Sequence, residues 1–233
     1  MRIKITFTKN NEKVPNNQDF VNSYIHTQCL KHNEYHDASS NYCISRLLGG
    51  SAIENGKYMD YPKGGYLLIT SMDFEFVNKI IMGVISNPNM GFGMSLINIS
   101  EIKEKFYSGW NYFKTTPGGF ILKRKNPTED SKFHTINDED INDVLRGHII
   151  NKFSKINPNL DFSDLHLEVT KHPSNKVESR LVKKVVNDAN ICQIKINTNK
   201  ILAEYIYNYG IGQSCGSGFG TIYTTQYAHL YSR

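Results

Sequence analysis

Hydrophobic residues in the first half of the chain recur with two different periods. Ile3, Ile5 and Phe7 alternate with polar residues, which predicts a half-buried strand over Arg2–Thr8. Apolar residues at helical spacing predict an amphipathic helix from about Gln18 to Lys31. The same reasoning predicts the other elements of this half, namely strands over Tyr42–Leu48, Gly65–Thr70 and Met90–Ile99, and a helix from Phe74 that ends before Asn87-Pro88. Strand, helix, strand, strand, helix, strand is the order of a ferredoxin-like unit.

The second half repeats this order of elements after the break at Thr116-Pro117-Gly118-Gly119. The predicted elements are strands over Phe120–Arg124, Leu165–Thr170, Ile191–Ile196 and Phe219–Thr225, and helices over Asp138–Phe153 and Asn199–Tyr209. The chain is therefore predicted to have an α+β fold of two tandem ferredoxin-like (RRM-like, βαββαβ) domains, over residues 1–114 and 115–233. The two domains are expected to meet near Lys114–Pro117.

Composition places the chain among ordinary globular proteins. The 233 residues are 39% hydrophobic and 21% charged, which excludes disordered and fibrous classes. No apolar run approaches the roughly 18 residues of a membrane helix, and the N-terminus lacks the apolar core of a signal peptide. The four cysteines form no Cys-x-x-Cys pair, so reduced thiols are expected. These observations predict a cytoplasmic protein without a membrane partner.

Charge and aromatic content favour an anionic polymer as partner. Against 22 Asp and Glu residues there are 27 Lys and Arg residues, which gives a net charge of +5. Aromatic residues make up 12% of the chain, and 14 of them are tyrosines. Cations together with stacking surfaces suit RNA, although composition alone supports this only in general terms.

The most specific feature is a glycine-rich segment between the last predicted helix and the last predicted strand. Two Gly-x-Gly pairs, Gly210/Gly212 and Gly218/Gly220, are separated by five residues. Glycines allow backbone amides to approach an anion closely. The segment is not a Walker loop, because no Gly-Lys-Ser/Thr follows, and it leads from a helix to a strand, unlike a dinucleotide fingerprint.

With the flanking Leu202–Tyr209 and Thr221–Tyr223, this segment resembles the C-terminal motif of the CRISPR repeat-processing endoribonucleases, the sixth Cas protein family of the RAMP group. The resemblance extends to the N-terminal strand, the region from His36 to Gly50 and the tandem ferredoxin-like order. It implies cleavage of precursor CRISPR RNA within each repeat, without metal or cofactor, leaving a 5′-hydroxyl and a 2′,3′-cyclic phosphate.

The resemblance also implies a catalytic histidine in the segment after the first helix. His36 occupies that place and is the first candidate, and His32 is the second. Histidine suits proton transfer, since both of its forms exist near neutral pH. The candidate helpers are Arg46, Tyr42 and Tyr24, of which Arg46 supplies charge but cannot act as a general acid. For the two tyrosines packing is the plainer interpretation, and His148 and His166 are expected to be structural.

RNA binding is predicted for the glycines of the motif and for two basic segments. These candidates are Gly210, Gly212, Gly218, Gly220, Lys183, Lys184, Arg180, Lys123 and Arg124. A solvated surface is the usual alternative for such basic runs. The expected partner is CRISPR repeat RNA and not DNA. Subunits of a CRISPR effector complex and a second copy of the chain remain open as further partners.

Two other functions compete with this interpretation. A metal hydrolase would use Cys29, His32 and His36, which share one face if the helix continues to His36, but the His-Glu-x-x-His order is absent. No metal site is therefore predicted. A RAMP protein that binds guide RNA without cutting it would share the fold and the glycine motif, so only the histidine separates it from the enzyme.

Overall fold

The computed structural model describes residues 1–31, 41–128, 132–182 and 184–225. Up to residue 102 the elements in chain order are β1 (Arg2–Phe7), β2 (Val14–Pro15), α1 (Asp19–Asn22) continued by a π-helix (Ser23–Cys29), β3 (Tyr42–Ile44), β4 (Ser51–Ile53), β5 (Tyr58–Asp60), β6 (Tyr66–Ser71), α2 (Phe74–Ser86), β7 (Asn89–Gly91) and β8 (Met94–Ile102). They are followed by β9 (Gly109–Thr115), α3 (Ile141–Ile156), β10 (His166–Val169), β11 (Lys176–Val182), β12 (Val185–Ile191), β13 (Gln193–Thr198), α4 (Lys200–Tyr209), a short 3-10 helix (Cys215–Ser217) and β14 (Ile222–Thr224).

The first half is built on a sheet with the strand order β3-β6-β1-β8-β7. The central strand β1 pairs antiparallel with both β6 and β8, and Ile3 lies opposite Ile69 of β6. The alternation of β1 puts its isoleucines on the face that packs against α2 and the π-helix. Asp73 begins α2, because its carboxylate accepts hydrogen bonds from the backbone amides of Glu75 and Phe76 at 2.9 and 3.1 Å.

The second half is built on a sheet with the strand order β10-β13-β9-β14, and β9 pairs antiparallel with both of its neighbours. Helices α3 and α4 cover one face of this sheet, where Phe113 of β9 and Ile194 of β13 pack against Phe153 and Ile206. The hairpin β11–β12 is inserted between β10 and β13. In each half the four main strands have the ferredoxin-like order, so the predicted α+β class with tandem ferredoxin-like folds is confirmed.

Two predicted elements differ from the structure. The segment predicted as the strand Phe120–Arg124 makes only isolated bridges, and β9, which the sequence analysis missed, is the first strand of the second sheet. The predicted helix from Gln18 forms, but most of its length is a π-helix that ends at Cys29. The second sheet thus begins before the expected division at residue 114, while the division into two domains stays a prediction.

The last helix joins the two halves. Helix α4 belongs to the core of the second half and also contacts β3 and β6 of the first sheet. Arg2 of β1 donates a hydrogen bond to the carbonyl oxygen of Tyr207 at 3.1 Å, and its guanidinium lies 3.5 Å from the centre of the Tyr207 ring. All residues of β6 are buried, since Leu67 and Ile69 face the core of the first half and α4 contacts the strand as well. Within the described ranges, no helix has the length and apolarity needed to cross a membrane.

Candidate functional site

Residues 210–220, here called the glycine loop, have a backbone that requires glycine. Gly210, Gly212, Gly218 and Gly220 have φ angles of +69°, +71°, +91° and +76°, in the left-handed region. Space is also restricted: a Cβ atom added to Gly220 would lie 2.3 Å from the carbonyl oxygen of Ile211. The conformation and the close approach of backbone segments explain the spacing of the motif.

The glycine loop connects the second half to the first sheet. Gly218 forms a parallel bridge with Ser45, just after β3, and the thiol of Cys43 in β3 donates to the carbonyl oxygen of Phe219 at 3.2 Å. The four motif glycines are buried. The structure therefore gives them a role in packing the halves together, and their contact with RNA stays a prediction.

Helix α3 holds the glycine loop from the other side through Lys152. Its ammonium group donates to the carbonyl oxygens of Tyr209 and Gly210 at 2.7 and 3.2 Å, and so neutralises the C-terminal end of α4. The same nitrogen lies 3.3 Å from the sulfur of Cys215. A hydrogen bond with Cys43 and the charge of Lys152 lower the pKa of Cys215. The sequence analysis missed this anchor, because Lys152 and the glycine loop are far apart along the chain.

His148 is a second anchor, one turn before Lys152 on α3. Its Nε2 atom lies 2.9 Å from the carbonyl oxygen of Gly212. Burial and the nearby charge of Lys152 lower the pKa of His148 to about 4. The ring is therefore neutral near pH 7 and donates Nε2–H to the carbonyl, which agrees with the structural role expected from the sequence.

The buried, neutral His148 predicts that the free energy of unfolding falls in acid. Because the folded state holds His148 at a pKa of about 4 and an unfolded histidine titrates near 6.5, protons bind the unfolded chain first as the pH falls. The contribution of His148 is complete above pH 6.5, and we expect about 2 kcal/mol of it to be lost by pH 5. Denaturant unfolding at pH 7 and pH 5 measures this difference. His148→Gln should reduce it, whereas the exposed His172→Gln should not; equal losses in all three proteins would contradict the assignment.

The predicted catalytic residues are only partly within the described residues. His36 and His32 lie outside them. Tyr24 is fully buried, its hydroxyl donates to the carbonyl oxygen of Asn87 at 2.8 Å, and burial raises its pKa. Tyr42 is also buried, with its ring stacked on Phe76 at 4.4 Å between ring centres. These environments favour the packing interpretation for both tyrosines.

Arg46 lies at a cavity of about 240 Å³ between the two halves. Its side chain is only 8% exposed, and one guanidinium nitrogen donates to the side-chain oxygen of Asn16 at 3.1 Å. Among the described residues no carboxylate lies within ion-pair distance of Arg46. Burial and the like charge of Arg180 lower the pKa of Arg46 to about 10, so the group is still charged at neutral pH.

Arg180 brings the hairpin β11–β12 to the same cavity. It donates to the carbonyl oxygen of Pro117 at 3.2 Å and forms an ion pair with Glu178. Burial raises the pKa of Glu178, but the hydrogen bond from Lys176 and the charge of Arg180 outweigh it, so the carboxyl group titrates below its usual pKa. The cavity thus contains the guanidinium of Arg180, paired with Glu178, and that of Arg46, which lies beyond ion-pair distance of the described carboxylates. Glu178 and Asp19 offset the charge of Arg46 only from a distance, so two guanidinium groups at one cavity attract an anion such as phosphate.

The remaining predicted RNA-binding cations are dispersed. Lys184 is exposed at the turn between β11 and β12, while Lys183 is outside the described residues. Lys123 is exposed. Arg124 is committed to the protein, because its guanidinium binds the Asp138 carboxylate at 2.5 Å and the carbonyl oxygen of Phe133 at 3.1 Å. Of the predicted cations that the structure describes, Arg180 alone lines the same cavity as Arg46.

The metal-ligand alternative gains little from the geometry. Cys29 is buried, and burial raises its pKa to about 11, so the thiol is protonated at neutral pH. His134, Asp138 and Asp140 bring potential ligand atoms within 4.8 Å of one another, the one such group among the described residues. The Asp138 carboxylate already forms an ion pair with Arg124, so we interpret this group as an ion-pair network.

Comparison with known proteins gives a family match and several solved structures of similar fold. Residues 102–223 match a family described as CRISPR associated protein Cas6, C-terminal. A comparison with curated proteins gives no match.

A solved RAMP protein that binds different RNA substrates is similar in fold, with 19% identity, a TM-score of 0.82 and coverage of 96% of this chain and 99% of that chain. A Cas6-related gene product from Pyrococcus furiosus has 19% identity, a TM-score of 0.81 and coverage of 97% and 98%. A CRISPR associated protein Cas6 has 20% identity, a TM-score of 0.77 and coverage of 97% and 99%.

Proposed function

The chain belongs to the CRISPR-associated Cas6 family, and on this premise we propose that it is an endoribonuclease that cleaves precursor CRISPR RNA within the repeats. Membership of the family and the similar folds indicate CRISPR-associated RNA binding and processing in general. The description of one structural relative as a protein that binds different RNA substrates supports RNA as the ligand. The specific cleavage chemistry is the further step that we propose.

The observation that carries the proposal is the buried guanidinium of Arg46 in the cavity between the halves, which has no carboxylate within ion-pair distance among the described residues. A buried charge without an ionic partner is costly, and a bound phosphate would compensate it. Residues of both halves line this cavity, Arg46 from the first and Arg180 from the second. A phosphodiester backbone that passes between the halves would bring negative charge to Arg46 and would contact residues of both halves.

In the proposed reaction the ribose 2′-hydroxyl attacks the adjacent phosphorus. The 2′-oxygen–phosphorus bond forms, the phosphorus–5′-oxygen bond breaks, and the products are a 2′,3′-cyclic phosphate and a 5′-hydroxyl. His36 takes or supplies a proton in this exchange, since imidazole accepts and donates protons near neutral pH. Arg46 stabilises negative charge at phosphate and, staying protonated, transfers no proton. No metal or cofactor is assigned a step.

A guide-RNA-binding subunit without catalytic activity is the alternative function. It would use the same cavity, and it is favoured by the relative that is described by its RNA binding. In either case repeat RNA is the proposed partner. The two functions differ in whether RNA is cut and released as a product or retained intact.

The proposal is tested by incubating the purified protein with repeat RNA from its own locus in excess EDTA. We expect a single cut within the repeat, with a cyclic phosphate at the 3′ end of the upstream fragment. Mapping both fragment ends by mass spectrometry identifies the bond that is broken. Tight binding without any cut would favour the alternative function, and the absence of binding would contradict both.

Arg46→Met is expected to have opposite effects on binding and stability. Loss of a charge-assisted phosphate contact should lower RNA affinity about 10- to 100-fold, since hydrogen bonds to charged groups contribute roughly 1.5–3 kcal/mol. The melting temperature should stay the same or rise, because an apolar side chain of similar length removes a buried unpaired charge. Filter binding and thermal unfolding measure the two effects, with the exposed Lys155→Met as control. Unchanged affinity with a lower melting temperature would make Arg46 a structural residue.

A further inference from the structure

The second sheet has one face that neither α3 nor α4 covers. On this face β9 presents Trp110 and Tyr112, which are 53% and 51% exposed. Their cross-strand neighbours on β13 are Asn197 and Lys195, which lie directly opposite and therefore on the same face. Large aromatic side chains exposed side by side on a sheet are costly in water and usually mark a contact surface.

The exposed face continues toward the cavity that contains Arg46. Lys114 is the next residue of β9 on this face, and Tyr223 of β14 lies opposite it. Both line a groove of about 430 Å³ together with Lys176 and Arg180 of the hairpin. Arg180 also lines the cavity between the halves. Aromatic rings, lysines and the arginine cavity thus follow one another along a single path.

We propose that the rings of Trp110, Tyr112 and Tyr223, with Lys114 beside them, form a stacking platform for unpaired nucleotides of the bound RNA. This platform lies outside the cavity that binds the RNA backbone. This inference rests on the proposed function. Alternate residues of a strand are about 6.8 Å apart on one face, so each ring can hold a separate base. Base–aromatic stacking tolerates any sequence, while the lysines beside the rings meet phosphates.

The charge of the face favours RNA over a second copy of the chain. Lys114 and Lys176 lie at its edge, where Lys176 and Arg180 share the carboxylate of Glu178. Lys195, paired with Glu168 at 3.4 Å, lies within the face. These four cations outnumber the two carboxylates, so the face keeps a positive charge. A symmetric contact between two copies through this face would bring together two surfaces that both carry this positive charge. A polyanion with flat, apolar bases complements both the charge and the rings.

The single tryptophan of the chain makes the platform directly observable. Titration with repeat RNA is expected to quench the fluorescence of Trp110, with a midpoint equal to the dissociation constant from filter binding. An unstructured oligouridylate should also quench the emission, whereas the repeat annealed to its full complement should not, because its bases are already paired and stacked.

Substitutions distinguish the contribution of base stacking to RNA affinity from that of the rest of the RNA contacts. Tyr112→Ala should weaken binding of the single-stranded repeat by about 5- to 150-fold, corresponding to one lost base stack. Trp110→Phe keeps a stacking surface and should bind within about threefold of the wild type. Phe74→Ala removes an aromatic residue of α2 in the first half that is 65% exposed, and it should leave affinity unchanged.

Three outcomes would overturn the platform. The first is full RNA affinity without any change in Trp110 emission, which would leave the proposed function intact. The second is a shift of Trp110 emission with protein concentration in the absence of RNA, which would assign the face to self-association. The third is failure of the wild type to bind any RNA, which would remove the proposed function together with the platform.

Discussion

Replacing His36 with alanine is expected to lower the rate of repeat RNA cleavage by about a hundredfold to ten-thousandfold, the range for removal of one general acid or base. RNA affinity should remain close to that of the wild type, because phosphate contacts and not the imidazole provide most of the binding. Single-turnover cleavage with protein in excess, in EDTA, measures the chemical step without product release.

Two other histidines make the His36 experiment specific. His32→Ala changes the second candidate, and His172→Ala changes a histidine that is exposed in the second half. We expect both variants to cleave at nearly the wild-type rate. If His32→Ala were inactive and His36→Ala active, the catalytic role would pass to His32; full activity of both would remove the histidine mechanism.

Gly220→Ala is expected to destabilise the protein by about 3 kcal/mol, the largest effect on stability that we predict. A left-handed backbone costs an alanine roughly 1–2 kcal/mol, and the added Cβ would lie 2.3 Å from the carbonyl oxygen of Ile211. Relief of that contact must separate the two ends of the glycine loop, which are joined by a hydrogen bond from the Ile211 amide to the Gly220 carbonyl oxygen at 3.0 Å. Chemical denaturation monitored by circular dichroism measures the change.

Two further glycines separate the sources of this effect. Gly56 has a φ of +82° but open space around its Cβ position, so Gly56→Ala should cost only the conformational part, about 1–2 kcal/mol. Gly147 is within α3 and also has open space, so Gly147→Ala should stabilise the protein by about 0.5–1 kcal/mol. A cost for Gly220→Ala no greater than that for Gly56→Ala would mean that the loop accommodates a side chain.

Much of the fold could be predicted, because its core elements have clear periodicity. The strand β1 and the helix α2 follow from alternation and from apolar residues at helical spacing. The strand β9 was missed although Trp110, Tyr112 and Lys114 alternate with Asn111 and Phe113. Its exposed face carries aromatic residues instead of polar ones. The segment therefore lacks the alternation of apolar and polar residues by which a half-buried strand is recognised.

The site was less accessible to sequence reasoning, because its properties come from tertiary contacts. The motif of glycines could be recognised from spacing, but their burial depends on β3 and α3. Arg46 was identified near the predicted histidine, yet its burial in a cavity and its proximity to Arg180 appear only when the halves meet. Tyr24 is the opposite case. Its position on the first helix made it a candidate catalytic helper, but in the structure its buried hydroxyl donates a hydrogen bond to a backbone carbonyl.

Helix α4 limits how this chain can be divided or recombined. One side of the helix completes the core of the second half, and Tyr207 receives the arginine of the first strand on the other. A fragment ending before residue 109 would lack α4 and would uncover the parts of β3 and β6 that this helix contacts, which would favour aggregation. Exchange of one half with that of a relative would therefore have to carry matching side chains on both sides of this helix.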